Sequence, residues 1–533
     1  MDSNSPYLTA RFRLKTFILR SRSLRTLIRD NGWLCLPDGA AILLGLYVFY
    51  TAFVNPLIPY DSWAYHLPFA SFLWNIGDGR NGFIPTYYIQ CVYEGFPLFG
   101  EWLQGALWKL FDDVRATSLI NPIAFALFCL LAGRWLGVRV FWLICGALAF
   151  PLFGIHVISM YKDAYVGSLL AIVVLATVRI YGVLLEDKSS IFSPNTRLPW
   201  GILCAAAIAV ANSKMQAWAI LLPFLTFVVI TFDNVMQDQK ARFYLAVYGA
   251  VLVLLCSYNE IANTFRFGNP LFPLMVSLHP FSVHYIYPAL GVVASPGFSS
   301  TTVTTPDYAG HSLLSQPVYF FFSVTEIDWA IRHIAPHYSG DMYIGTQNVR
   351  QMRTGGLWGL YACFHLTLLA LLLSAYRKIG PTHRFFLRCF GVMTLIVMLM
   401  PRSHELRYVL VWPLLLTVAT GIYFVYVSGR VQIVLALMLV LFLGIGQNFL
   451  PAERNLFSAG KGPASAKEWR DTGDRKILAK LHDDTATCLE AEETHWNMWF
   501  RYAPAIIGGH HTIVAPYDYN KHCDSKALNR WMF

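Results

Sequence analysis

Residues 159–186 read SMYKDAYVGSLLAIVVLATVRIYGVLLE. The adjacent charges Lys162 and Asp163 are followed by an apolar run, 164–184, broken by a single charge at Arg179. A helix of about 20 mostly apolar residues crosses the hydrocarbon core of a bilayer. This stretch therefore reads as a membrane span with ionisable groups at one mouth. The rest of the chain repeats the pattern. Of 533 residues, 56% are hydrophobic and 14% charged, with a mean hydropathy of +0.46; soluble domains have roughly 45–50% apolar and about 25% charged residues. An ordinary soluble enzyme is excluded, and the 15% aromatic content excludes a disordered low-complexity chain. The net charge of +10 is scattered among apolar runs rather than drawn into a stripe, so no nucleic-acid partner is expected. The ten cysteines include no CxxC pair and no zinc framework.

Eleven stretches qualify as spans, at 37–54, 115–133, 140–160, 164–184, 199–213, 215–232, 243–259, 356–375, 385–400, 407–427 and 431–449. The expected fold class is an all-α polytopic membrane protein with about 11 transmembrane helices. Residues 1–36 hold Arg11, Arg13, Lys15, Arg20, Arg22, Arg25 and Arg29 and start the chain in the cytoplasm. The first apolar run lacks a small-residue cleavage site and reads as a retained anchor. With that start, Lys and Arg are roughly three times denser in the inner segments than in the long outer ones, as basic flanks require. The membrane domain then runs from 37 to 449 and carries two long outer loops, 55–114 and 260–355. The tail, 450–533, reads as a small α+β appendage on the same outer side, where Cys488 and Cys523 are open to oxidation. The weakly apolar FPLFGEWLQGALWKLF (96–111), with Trp102, Trp108 and Lys109, suits a helix lying along the outer membrane surface.

This topology gathers ionisable residues on the outer face. Asp61 follows the first span; Glu94 and Glu101 flank the surface helix; Lys162 and Asp163 open the fourth span. Lys214 interrupts two apolar runs, Arg266 follows the seventh span, and His404, Glu405 and Arg407 precede the tenth. Charges at membrane depth are costly and mark partners, pathways or chemistry. Each also has an ordinary reading. Asp61 can cap a helix over 62–74, Asp163 can pair with Lys162, and Lys214 and Arg407 can snorkel to headgroups. His66 and its neighbour Tyr65 can simply pack, and a surface helix can carry solvated carboxylates at Glu94 and Glu101. As a set they are complementary. Lys214, Arg266 and Arg407 suit a lipid-linked phosphate, a carboxylate opposite suits proton removal from a hydroxyl, and His66, Tyr65, Glu94 and His404 are candidates for contacting the acceptor. Asp61 and Asp163 also offer oxygen ligands suited to Mg²⁺ or Mn²⁺.

Together YDSWAYHLP, YEGFPLFGEWLQGALWKLF, YKDAYVGSLLA, SKMQAW, GNPLFP and RYVLVWPLL occur in an order that resembles the C-type glycosyltransferases. The chain is similar to their bacterial protein O-mannosyltransferase and aminoarabinose transferase members over roughly residues 37–430. The resemblance implies a membrane enzyme of the bacterial inner membrane with its carboxyl terminus in the periplasm. Such an enzyme takes a sugar from a polyprenyl-phosphate donor and passes it, with inversion, to a glycan, lipid or protein acceptor. It implies Asp61 as the first-loop carboxylate acting as general base or in acceptor and metal positioning, and Asp163 as the second acidic position. The chain departs from the family in having Ser62 after Asp61, where relatives have Glu, and Gly95 after Glu94, where aminoarabinose transferases have Lys. A phosphate-contacting cation then falls to Lys214 or Arg407. Alternatives are an oligosaccharide polymerase or ligase, and a transporter of a lipid-linked or small polar substrate, although no internal repeat is visible.

Overall fold

A computed structural model of the chain describes residues 24–54, 56, 62–76, 87–186, 193–235, 239–278, 281–285, 316–325, 357–400, 406–426 and 429–448, with three short strands in the tail. It is an all-α membrane protein with small β additions. Helix α1 (Leu24–Val54) is followed by a wide turn at Ser62–His66 that runs into α2 (Leu67–Trp74), then α3 (Tyr87–Gly95) and α4 (Phe99–Phe111). Next come α5 (Ile120–Leu136), α6 (Val140–Leu148), α7 (Pro151–Val157), α8 (Asp163–Glu186), α9 (Pro194–Ala211), α10 (Met215–Val235) and α11 (Gln239–Cys256). The second long loop contributes α12 (Tyr258–Phe267), an antiparallel hairpin β1–β2 (Leu274–Leu278, Phe281–Tyr285) and α13 (Gln316–Thr325). The bundle is completed by α14 (Leu357–Ser374), α15 (Pro381–Leu399), α16 (Val411–Tyr426) and α17 (Gly429–Asn448).

Each of the eleven expected stretches is largely helical, but length and apolarity alone qualify six as spans among the described residues. These are Pro37–Val54, Val114–Leu136, Asp163–Leu185, Met215–Asn234, Gln239–Cys256 and Pro381–Leu399. The expected single span at 140–160 is instead two helices, α6 and α7, bent by 96°. Pro151 opens α7 at the break, where a residue without an N–H cannot continue the ladder of α6. The stretches near 356–375, 407–427 and 431–449 form shorter apolar helices.

Helix α8 is the axis of the bundle, packed against α5, α9, α15 and α16 and buried along nearly its whole length. In hydrocarbon, helices associate through close approach of small residues, and α8 does this at Gly167. A Cβ there would stand 2.9 Å from Leu410 Cβ and 3.1 Å from the Val411 backbone nitrogen. By contrast α11 leaves Phe243, Tyr244, Tyr248, Val251 and Leu254 exposed, as suits a helix facing lipid. Helix α4 is two-sided. Trp102, Leu110 and Phe111 are exposed, whereas Glu101, Gln104, Gly105 and Trp108 lie buried on the other face. Trp108, expected at the membrane surface, is thus part of the interior.

In the tail, strands β3 (Cys488–Glu490), β4 (Thr512–Val514) and β5 (Trp531–Met532) form a parallel sheet ordered β4-β3-β5. Cys523 lies outside the described residues, and its pairing with Cys488 lies there too.

Candidate functional site

Four short connections meet at one end of α5 and α8, two of them fastened by hydrogen bonds to backbone groups. The bend between α7 and α8 is fastened from two sides. Asn121, in the first turn of α5, donates from Nδ2 to the carbonyls of Ser159 (2.8 Å) and Tyr161 (2.5 Å), and its Oδ1 accepts the Tyr165 N–H (2.8 Å). Gln104, on the buried face of α4, donates to the Met160 carbonyl at 2.8 Å. The bend is thereby fixed in space just before Lys162 and Asp163. The turn between α9 and α10 is tied to α4 by the Phe99 N–H, which donates to the Asn212 carbonyl at 2.8 Å. Asn212 in turn donates to the Leu255 carbonyl at 3.1 Å. This turn carries Lys214. The third connection is the tight turn Leu406–Val409, which carries Arg407 and leads directly into Leu410 and Val411, the residues packed against Gly167. The fourth is the wide turn Ser62–His66, which brings Tyr65 and His66.

Between them lies a cavity of about 80 Å³, enough for a phosphate-sized group or several waters. Its walls include Tyr65, His66, Tyr161, Lys162, Asp163, Ser213, Lys214, Arg407 and Tyr408. Asp163 is 6% exposed and accepts from the Lys214 ammonium through Oδ1. Its Oδ2 is 3.7 Å from Nδ1 of the fully buried His156, which stacks on Tyr161. Lys214 Nζ and the Arg407 guanidinium both lie against the Tyr408 ring, 4.7 and 4.6 Å from its centroid, and Arg407 donates to the Tyr408 hydroxyl at 2.6 Å. Burial lowers the pKa of Lys214 below that of an ordinary lysine, and Asp163 only partly restores it.

Behind this layer is a second ionic group. Glu101, 1% exposed, takes Lys162 Nζ at 2.5 Å and His66 Nδ1 at 2.6 Å on the same oxygen, Oε1. Burial pushes the Glu101 carboxyl up, but Lys162 and His66 outweigh it and hold the pKa at about 2. An ionised carboxylate only accepts, so His66 Nδ1 carries the proton.

Of the residues expected from sequence, Asp163, Lys214, Arg407, His66 and Tyr65 come together at the cavity. Two do not. Glu94 is exposed on α3. Arg266 is exposed in the last turn of α12, away from the cavity wall, where a cation suits the negative end of the helix dipole. Asp61 and His404 lie outside the described residues. Pairing is also redistributed, since Lys162 bonds Glu101 rather than the adjacent Asp163, which takes Lys214. Sequence reading placed Glu101 on the outer face but assigned it no site role. The available signal was the spacing of Glu101, Gln104, Gly105 and Trp108, which places all four on one helix face.

Among the described residues no three His, Cys, Asp or Glu side chains gather as metal ligands. A divalent ion at Asp163 would have to displace Lys214 and sit beside Arg407, so the described donor set does not fit one.

The fold and the site define a polytopic helical membrane protein with a cationic, carboxylate-bearing cavity at one end of its bundle. No family model matches the chain, and no curated protein matches it. Among solved structures it is similar to ArnT from Cupriavidus metallidurans bound to undecaprenyl phosphate, at 13% identity and a TM-score of 0.40, covering 94% of this chain and 89% of that one. It is similar to the same ArnT in the apo state at 14% identity and a TM-score of 0.38, covering 91% and 86%.

Proposed function

We propose that the chain is an inverting glycosyltransferase of the bacterial inner membrane, which moves a sugar from a polyprenyl-phosphate donor to a glycan, lipid or protein acceptor at the periplasmic face. The observation that carries this reading is the cavity itself. Lys214 and Arg407 converge on it from different turns and are held against one aromatic ring, with Lys162 lining the same cavity. That is the environment a phosphate leaving group needs, because charge builds on its oxygen as the bond to the sugar breaks.

The reaction has one bond forming and one breaking. An acceptor hydroxyl oxygen attacks the anomeric carbon from the face opposite the phosphate, and the carbon–oxygen bond to phosphate breaks with its electron pair going to the phosphate. The hydroxyl proton passes to a carboxylate. We assign that base role to Asp61, which immediately precedes in sequence the turn that carries Tyr65 and His66 to the cavity wall. Asp163 orients Lys214 toward the leaving group and keeps it charged against the cost of burial. No step is routed through a metal.

The test is transfer by purified full-length protein in lipid nanodiscs with polyprenyl-phosphate sugars. Asp61→Asn is expected to abolish transfer while leaving expression and thermal unfolding unchanged. Full activity in that variant would remove Asp61 as the base.

A further inference from the structure

We infer that Lys162 is a phosphate-binding residue of this cavity and that Glu101 is the positioning residue that aims it; the inference rests on the donor class proposed above. With Arg266 exposed elsewhere, the structure replaces the third cation expected from sequence by one that sequence had set aside. Lys162 is 6% exposed and lines the cavity. Among the described residues its hydrogen bond goes to Glu101 alone. An ammonium has three N–H donors, so two are left for the cavity side.

Stability gives no reason to keep such a group. A buried ion pair is weak evidence for stability, because desolvation of both charges offsets their attraction. This one is also incompletely satisfied, since among the described residues Glu101 Oε2 is buried without a partner while Oε1 serves both Lys162 and His66. The one-sided attachment fixes a direction. The Lys162 stem runs past Gly100, where a Cβ would stand 3.0 Å from its Cδ and 3.5 Å from Ser213 Cβ, in the turn that carries Lys214. The two ammoniums therefore share a neighbourhood in which Lys162 and Arg407 both disfavour the charge on Lys214. An anion bound among the three relieves that repulsion.

The experiment measures binding of undecaprenyl phosphate, with undecaprenol as the control lacking phosphate, to the full chain in nanodiscs. Lys162→Met is expected to weaken undecaprenyl phosphate binding by about tenfold to a hundredfold, the range for a lost charge-assisted hydrogen bond, and to leave undecaprenol binding unchanged. Lys162→Arg is expected to retain most of the affinity. Glu101→Gln, which keeps the cation and removes its anchor, is expected to fall between Lys162→Met and the unmodified chain. If Lys162→Met strands the Glu101 charge and fails to fold, the double variant Glu101→Gln/Lys162→Met removes both charges at nearly constant volume and carries the same expectation. A folded double variant that binds undecaprenyl phosphate within twofold of the unmodified chain, while Lys214→Met loses it, overturns the role of Lys162 and leaves the proposed function standing. An unmodified chain that binds undecaprenyl phosphate no better than undecaprenol overturns both.

Discussion

The two ends of α5 handle charge differently. At its start, Asn121 fastens the bend that presents Lys162 and Asp163, each close to fully buried. Beyond its end, Arg139 holds Asp38 at 2.9 Å with both side chains about one-third exposed, and Asp38 also accepts the Phe141 N–H at 3.0 Å at the start of α6. The second arrangement is a fastening. It ties α1 to α6 in a place where water compensates whatever the pair does not. The first is a set of charges that water does not reach freely, and the phosphate site proposed above rests on that burial. Chemically similar groups thus serve as structure at one end and, in the function proposed above, as a binding surface at the other, with exposure separating the two.

The largest expected effect is at the buried end. Asp163→Asn leaves Lys214 and Arg407 without their carboxylate, which should cost about 3–5 kcal/mol, read as a drop in the thermal unfolding midpoint in detergent. Because Asp163 raises the pKa of Lys214, any transfer that the proposed function predicts should also lose its alkaline limb at a lower pH than in the unmodified chain. An unchanged midpoint would erase the contrast between the ends. Next comes Asn121→Ala, which strips partners from the Ser159 and Tyr161 carbonyls and the Tyr165 N–H. Loss of about 2–4 kcal/mol is expected, with transfer falling further than stability because the bend that aims two site residues is released.

Glu260 sharpens the comparison from a third position. It is buried in α12 and, among the described residues, neither carboxylate oxygen is hydrogen-bonded, whereas Glu101 Oε1 has two partners; burial pushes the Glu260 pKa up to about 7. The folded chain then keeps a proton that the unfolded chain, with an ordinary value of 4.5, releases. Stability should fall as pH rises from 4.5 to about 7 and stay flat above. Glu260→Gln should flatten this slope, visible as unfolding midpoints compared at pH 5 and pH 8. The smallest effect is expected for Asp38→Asn, about 1 kcal/mol or less, since the pair is exposed and only a cap is weakened. A loss as large as that of Asp163→Asn would show that exposure is the wrong criterion.

Much of the helical architecture could be read from the apolar runs, because in a bilayer a long apolar segment has few other ways to satisfy its backbone. The convergence of Asp163, Lys214 and Arg407 was legible for a related reason: each interrupts or abuts such a run, and topology leaves them on the same side. The break in α6–α7 was within reach through Pro151 but was hidden by the unbroken apolarity of 140–160. Arg266 misled because its place after a span was read without the helix face it occupies. Glu101 and Lys162 were illegible as partners, since they are joined only through space, by the docking of α4 beneath the bend at 158–162. No spacing rule along the chain encodes a contact of that kind.

The hollow at Gly167, one turn beyond Asp163, has a consequence for a charge on another segment. A single added methyl at this position would press on the backbone at Leu410 and Val411, and the tight turn that displays Arg407 is covalently continuous with it. The placement of a guanidinium at the mouth thus depends on steric clearance one turn inside it, so an uncharged substitution there would register as a misplaced cation.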